Sequence, residues 1–159
     1  LDLYDAQSPV KWFVYYTRGI AYHRQDDWPA AEADFRAALA LNPAQPQVLN
    51  YLGYSLVERG EKLDEALGMI ETAAAARPDN GAIIDSLGWV MFQLGQYEEA
   101  VGHMELAASL EPVDPIINDH LGVVDKIPIL RLPNDQPLRL LNIVAKLKTE
   151  GGIFRERTV

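Results

Sequence analysis

Four glycines, Gly19, Gly53, Gly88 and Gly122, stand 34, 35 and 34 residues apart in a chain of 159 residues. A fixed period of this size marks a repeat architecture, and it settles the fold class before any local reading. The same residue types recur around each glycine. The first unit has Tyr15, Arg18-Gly19, Tyr22, Ala31, Phe35, Ala38 and Pro43. The second has Leu49, Leu52-Gly53, Leu56, Ala66, Ile70, Ala73 and Pro78, with one extra residue in its turn, Arg59-Gly60-Glu61-Lys62. The third has Ile84, Leu87-Gly88, Met91, Ala100, Met104, Ala107 and Pro112. A fourth begins at Pro115 with Asn118, Leu121 and Gly122 and then stops matching.

Each recurring residue has a physical task. Gly and the small Ala residues let two helices approach closely, since a larger side chain would hold their backbones apart. The large residues fill the space beside them. The Pro after each second helix cannot continue that helix, because it lacks an N–H and its ring clashes one turn back.

The ordered set of a large residue, Leu-Gly, a large residue, Ala, an aromatic, Ala and Pro resembles the tetratricopeptide repeat, TPR. The resemblance implies an all-α solenoid of helical hairpins, with about 3.5 repeats; a divergent C-terminal tail that contains one further helix is read after them from the residues themselves. Residues 1–11 are a lead-in and helix start. Residues 12–45, 46–80 and 81–114 are TPR 1, 2 and 3, and 115–124 are the first helix of a partial TPR 4. Residues 125–159 are the divergent basic tail, with a helix at about 135–148. The blocks Asn50-Tyr51-Leu52-Gly53-Tyr54, Asp85-Ser86-Leu87-Gly88-Trp89 and Asn118-Asp119-His120-Leu121-Gly122 resemble the C-terminal repeats of larger bacterial TPR proteins.

Local signals agree with helical hairpins. Ser8-Pro9 reads as N-cap and N1 of the first helix. Asp26-Asp27, Asn80 and Asp114 are predicted caps of later helices, with Pro115 at N1. Gly95 is predicted to break the fifth helix near its end.

The tail departs from the pattern. Pro128, Pro133 and Pro137 exclude one continuous helix after Gly122. Ile127 to Leu132 is a short extended candidate. From Asn134 to Lys148 a helix is predicted, with Leu138, Leu141, Val144 and Ala145 on one face and Gly151-Gly152 as its stop. Two origins fit the break: a capping segment of the same fold, which a solenoid needs over its last apolar face, or a foreign sequence joined through a changed reading frame or an artificial junction. In the first case Leu138, Leu141 and Val144 dock on repeat material. They do so beside the helix from Pro115 or on a neighbouring molecule, which would give a homo-oligomer by tail exchange.

Charge and composition narrow the function classes. Residues 1–122 hold 7 Lys+Arg against 19 Asp+Glu, a net of −12, and residues 123–159 hold 7 against 4, a net of +3. The acidic repeats would repel nucleic-acid phosphates. There is no cysteine, so no disulfide framework and no thiolate metal site is possible. No apolar run is long enough for a membrane span. Bacterial cytoplasm and periplasm are both compatible with this composition. The chain opens without an initiator Met or a basic leader and close to a repeat, as a segment of a longer protein would, and a signal ahead of Leu1 remains compatible.

Catalytic motifs are missing. His23, His103 and His120 have no metal-spaced partners, Gly53 to Lys62 lacks the phosphate-cradling order, and no Gly-x-Ser-x-Gly occurs. Acidic pairs such as Asp64-Glu65 and Glu98-Glu99 sit at helix N-termini, where the macrodipole favours them. The expectation is a protein that is not an enzyme and takes no cofactor. The resemblance implies instead a concave groove lined by the first helices, with a protein or peptide partner. Carried over by register, the groove face holds Phe13, Tyr16, Ile20 and His23, then Gln47, Asn50, Tyr54 and Val57, then Ala82, Asp85, Trp89 and Phe92, then Ile116, Asp119 and Val123. Tyr54 and Trp89, 35 residues apart, are the expected anchors. Phe13 and Phe92 are expected to pack between helices. TPR domains that hold acidic chaperone C-termini use Lys, Asn and Arg at positions where this chain has Tyr16, Asn50 and Asp85, so a carboxylate clamp is not expected. The competing class is a structural spacer or self-association segment whose groove is empty or filled by its own tail.

Overall fold

In the computed structural model, which describes residues 11–126, helix boundaries fall where local chemistry places them. Among the described residues seven helices follow one another: α1 (Lys11–Arg24), α2 (Trp28–Leu41), α3 (Pro46–Glu58), α4 (Leu63–Ala76), α5 (Gly81–Gln93), α6 (Tyr97–Leu110) and α7 (Pro115–Asp125). No strand occurs among the described residues. Asp27, Asn80 and Asp114 accept hydrogen bonds from the first-turn N–H groups of α2, α5 and α7, offsetting donors that a helix start leaves unpaired. Three turns close identically. Asp26, Gly60 and Gly95 adopt left-handed φ values of 61°, 65° and 81°. In each, the next residue donates back across the turn, Asp27 to Tyr22, Glu61 to Leu56 and Gln96 to Met91. This is the Schellman closure, and it turns the chain sharply into the next helix. Pro43, Pro78 and Pro112 follow the second helices, as the sequence predicts.

The helices pair as hairpins, α1 with α2, α3 with α4 and α5 with α6, while α7 packs on α6 and α5. The period-setting glycines lie at the hairpin crossings. A Cβ at Gly53 would stand 2.7 Å from Ile70 Cγ1, and one at Gly88 would stand 2.8 Å from Met104 Cγ and 3.0 Å from the Ala100 carbonyl oxygen. Gly19 meets Phe35 in the same way at 2.7 Å. Phe35, Ile70 and Met104, all fully buried, are therefore the knobs for which glycine leaves room. The apolar stripe continues through Val48, Leu52, Leu56, Ile83, Val90 and Ile117. The first hairpin replaces Leu of the Leu-Gly pair by Arg18, whose Nε and a terminal nitrogen both donate to Asp34, at 2.6 and 2.7 Å.

The Ser8-Pro9 start, the extended candidate over 127–132 and the tail helix at about 135–148 with its docking face Leu138, Leu141 and Val144 lie outside the described residues.

Candidate functional site

Helices α3, α5 and α7 are the first helices of successive units and lie side by side, α3 against α5 and α5 against α7. Tyr16, Asn50, Asp85 and Asp119 share one register position on these first helices, and Ile20, Tyr54 and Trp89 share the position one turn on. A contact recurs across the helix boundaries: a residue of the first set meets the residue 35 places later. Tyr16 meets Tyr51 edge-on at 6.0 Å between ring centroids, and Asp85 meets His120. A residue on one helix thus addresses the neighbour just beyond its own equivalent.

The α5–α7 boundary is the more polar. Asp85 is only 3% exposed, and its Oδ2 lies 2.7 Å from His120 Nδ1, itself buried. A carboxylate only accepts, so Nδ1–H donates and the ring is oriented. Asp85 Oδ1 is buried with no hydrogen-bond partner among the described residues. The His120 ring lies flat against Trp89, at 4.1 Å and 8° from parallel, and Trp89 also stacks on Phe92 at 5.3 Å. Trp89 Nε1 donates to Glu58 Oε1 on α3 at 2.9 Å. Tyr54 stands 6.3 Å from His120. Burial raises its phenol above the ordinary range, helped by the negative charges of Glu58 and Asp85. Residues from α3, α5 and α7 are thereby joined through one seam of Tyr54, Glu58, Asp85, Trp89 and His120.

The α1–α3 boundary is more aromatic. His23 Nδ1 lies 3.1 Å from the Tyr51 hydroxyl. Tyr51 packs against Tyr16, His23 and Phe35. The phenols of Tyr16 and Tyr51 are both raised, in each case chiefly by burial.

Among the sequence candidates, the structure gathers Tyr54, Asp85 and Trp89 in one seam and Tyr16 and His23 in the other. Ile20 is half-buried and packs on the core. Asn50 is half-buried with its side-chain oxygen unpaired among the described residues. Asp119 is exposed on α7. Phe92 packs inward, as expected from the sequence. Phe13 does not: it is 50% exposed in the first turn of α1, one turn before Tyr16, where it meets the ring of its neighbour Trp12 edge-on at 5.8 Å. Sequence reasoning missed Tyr51, Glu58 and His120 as members of the two seams. The available signal was the 35-residue offset between Asp85 and His120, which repeats that between Tyr16 and Tyr51.

No group of three or more metal-ligating side chains occurs among the described residues. No helix among them is long and apolar enough to cross a membrane.

The tetratricopeptide repeat family model matches residues 16–81 and 59–115. A TPR repeat-containing protein of Pseudomonas aeruginosa is 34% identical over 90 residues, covering 57% of this chain and 15% of that protein. Bacteriophage adsorption protein A of Escherichia coli is 36% identical over 77 residues, covering 48% of this chain and 8% of that protein. The chain thus spans a small part of the length of the curated relatives it matches. Among solved structures, the first TPR of Spaghetti, bound to the HSP90 peptide SRMEEVD, has a TM-score of 0.67 at 21% identity, covering 75% of this chain and 96% of that one. That likeness is one of fold.

Proposed function

Because the chain belongs to the tetratricopeptide repeat family, we propose that it is a non-catalytic scaffold module that binds a protein or peptide on the face of its first helices. The observation that carries this reading is the seam across α3, α5 and α7. Trp89 is held in a fixed orientation, Tyr54 and Trp89 are both only half-buried, and rigid, partly exposed aromatic rings are efficient binding anchors. Asp85 acts here through His120, which it orients against Trp89. Glu58 and Asp119, both exposed, supply negative charge beside the rings. Ile20, Asn50, Tyr16 and His23 extend the same face toward α1.

A solved relative of this fold carries a bound peptide, which supports the peptide-binding class. The charge points to a different ligand. An acidic C-terminus such as SRMEEVD would face the net −12 of residues 1–122, and like charges brought together oppose binding. The ligand is a basic or amide-rich peptide with apolar anchors for Tyr54 and Trp89.

The spacer reading also has an observation in its favour. Trp89 spends its ring on stacking with His120 and Phe92 and its N–H on Glu58, and the contacts to His120 and Glu58 tie helices together. Random-peptide selection on the immobilised full chain separates the two. Peptides enriched in Lys, Arg, Asn and Gln around an apolar anchor, and lost on Tyr54→Ala with helicity retained, support binding. A selection that enriches nothing, or enriches acidic peptides, contradicts it.

A further inference from the structure

One helix face lacks, among the described residues, the element that covers its equivalents. Second helices press on Gly53 and Gly88, where an added Cβ would stand 2.7 and 2.8 Å from Ile70 and Met104. Gly122 holds the same register on α7, yet no heavy atom among the described residues lies within 4 Å of its Cβ position. The other side of α7 is committed: Ile117, His120 and Val124 are buried. So α7 is a first helix whose second-helix side, bordered by half-buried Leu121, is open among the described residues.

We propose that the segment at about 135–148 of the same chain docks on this side, taking the place of the second helix of the fourth repeat. The proposal goes beyond peptide binding and does not depend on it. The segment follows α7 after the linker 127–134, whose eight residues reach at most about 26 Å when extended, enough to return along an 11-residue helix of about 16 Å. Its pattern places Leu138, Leu141, Val144 and Ala145 on one face, the stripe a docking helix needs. Its charge is complementary. Residues 127–159 hold 6 Lys+Arg against 3 Asp+Glu, while residues 1–122 carry −12.

A described contact shows where that charge would act. Arg36 of α2 reaches the next second helix at Glu65 of α4, with two hydrogen bonds of 2.9 and 3.1 Å. Glu105 of α6 holds the register position of Arg36, next to Met104 as Arg36 is next to Phe35. It presents an acid toward the place where the segment's first turn would bring Arg139. A Glu105–Arg139 pair there would repeat the Arg36–Glu65 pairing with its signs exchanged.

The test uses the full chain in a thermal-melt cycle that sets Gly122→Leu in the unaltered background against Gly122→Leu in a doubly substituted one. On an uncovered helix surface Gly122→Leu raises Tm, because Leu is the better helix former. Under a docked helix it lowers Tm, as Gly88→Leu does in the same assay. The proposal expects a lowered Tm that reverts to a raised one in a Leu138→Asp/Leu141→Asp background, with both chains monomeric by sedimentation. A raised Tm in the unaltered background overturns it. So does a loss of the same size in both backgrounds, which would place the clash within the repeats. A dimer that the double Asp variant converts to a monomer also overturns it, in favour of exchange between copies.

Discussion

Trp89 of α5 lies flat on His120 of α7, ring centroids 4.1 Å apart and planes 8° from parallel, while Asp85, one turn before Trp89, holds the same imidazole by its Nδ1 at 2.7 Å. One histidine therefore ties α7 to α5 by stacking and by a buried hydrogen bond. Removing it leaves the Asp85 carboxylate, whose Oδ1 is already unpaired among the described residues, with neither oxygen bonded.

His120→Ala is accordingly expected to cost on the order of 2 kcal/mol or more, combining a stranded buried acceptor with a lost ring contact. Urea denaturation followed by circular dichroism measures it. Asp119→Ala, exposed on the same helix, is expected to change stability by less than about 0.5 kcal/mol. Equal effects at the two positions would deny the seam any structural weight.

The crossing glycines and the open ones should respond in opposite directions. Gly88→Ala places a Cβ 3.0 Å from the Ala100 carbonyl, which belongs to a helix backbone and cannot swing aside, so a loss of about 1–3 kcal/mol is expected. Gly102→Ala, inside α6 with nothing within 4 Å among the described residues, is expected to stabilise by about 0.5–1 kcal/mol through helix propensity. Melting temperatures of the two variants check the signs.

Asp26 occupies the left-handed turn position that Gly60 and Gly95 hold in the next two hairpins, with φ of 61°. Asp tolerates this region less well than Gly. Asp26→Gly should therefore raise Tm, and Gly95→Asp should lower it, each by an amount worth up to about 1 kcal/mol. A lowered Tm for Asp26→Gly would mean that its side chain supports the turn.

Glu32 is held below its ordinary value of 4.5, first by the hydrogen bond from Lys62 and then by Arg36, and Glu65 is lowered likewise by Arg36. A depressed carboxylate contributes stability that is complete above its unfolded value and is lost as pH falls through the folded one. Tm is expected to fall on acidification below about pH 4.5, and Glu32→Gln should flatten that slope. The partners Arg36, Lys62 and Glu65 are partly exposed to solvent, so the contribution is at most about 1 kcal/mol and shrinks in salt.

The period of the four glycines made the hairpins, the capping residues and the crossings legible, because those depend on residues within one unit. The contacts between units were less so. Arg18 is visible as a departure from Leu in the Leu-Gly pair, but its partner Asp34 replaces Met69 and His103 at a position sixteen residues on, and only the hairpin geometry pairs them. His120 and His23 looked scattered because Asp85 and Tyr51 lie 35 and 28 residues away. Such contacts depend on the rotation from one hairpin to the next, which no single unit encodes. Tyr54 and Trp89 were recognisable as equivalents, yet the sequence did not show that Trp89 would share its ring with His120 and its N–H with Glu58.

The peptide-binding reading is tested most directly by amide and indole N–H shifts of the labelled full chain, titrated with the strongest basic peptide from the selection. Saturable shifts are expected on α3, α5 and α7, centred on Tyr54, Glu58 and the indole N–H of Trp89, with little change on α2, α4 and α6. Saturable shifts confined to the second helices, or none at any peptide concentration, would contradict the account.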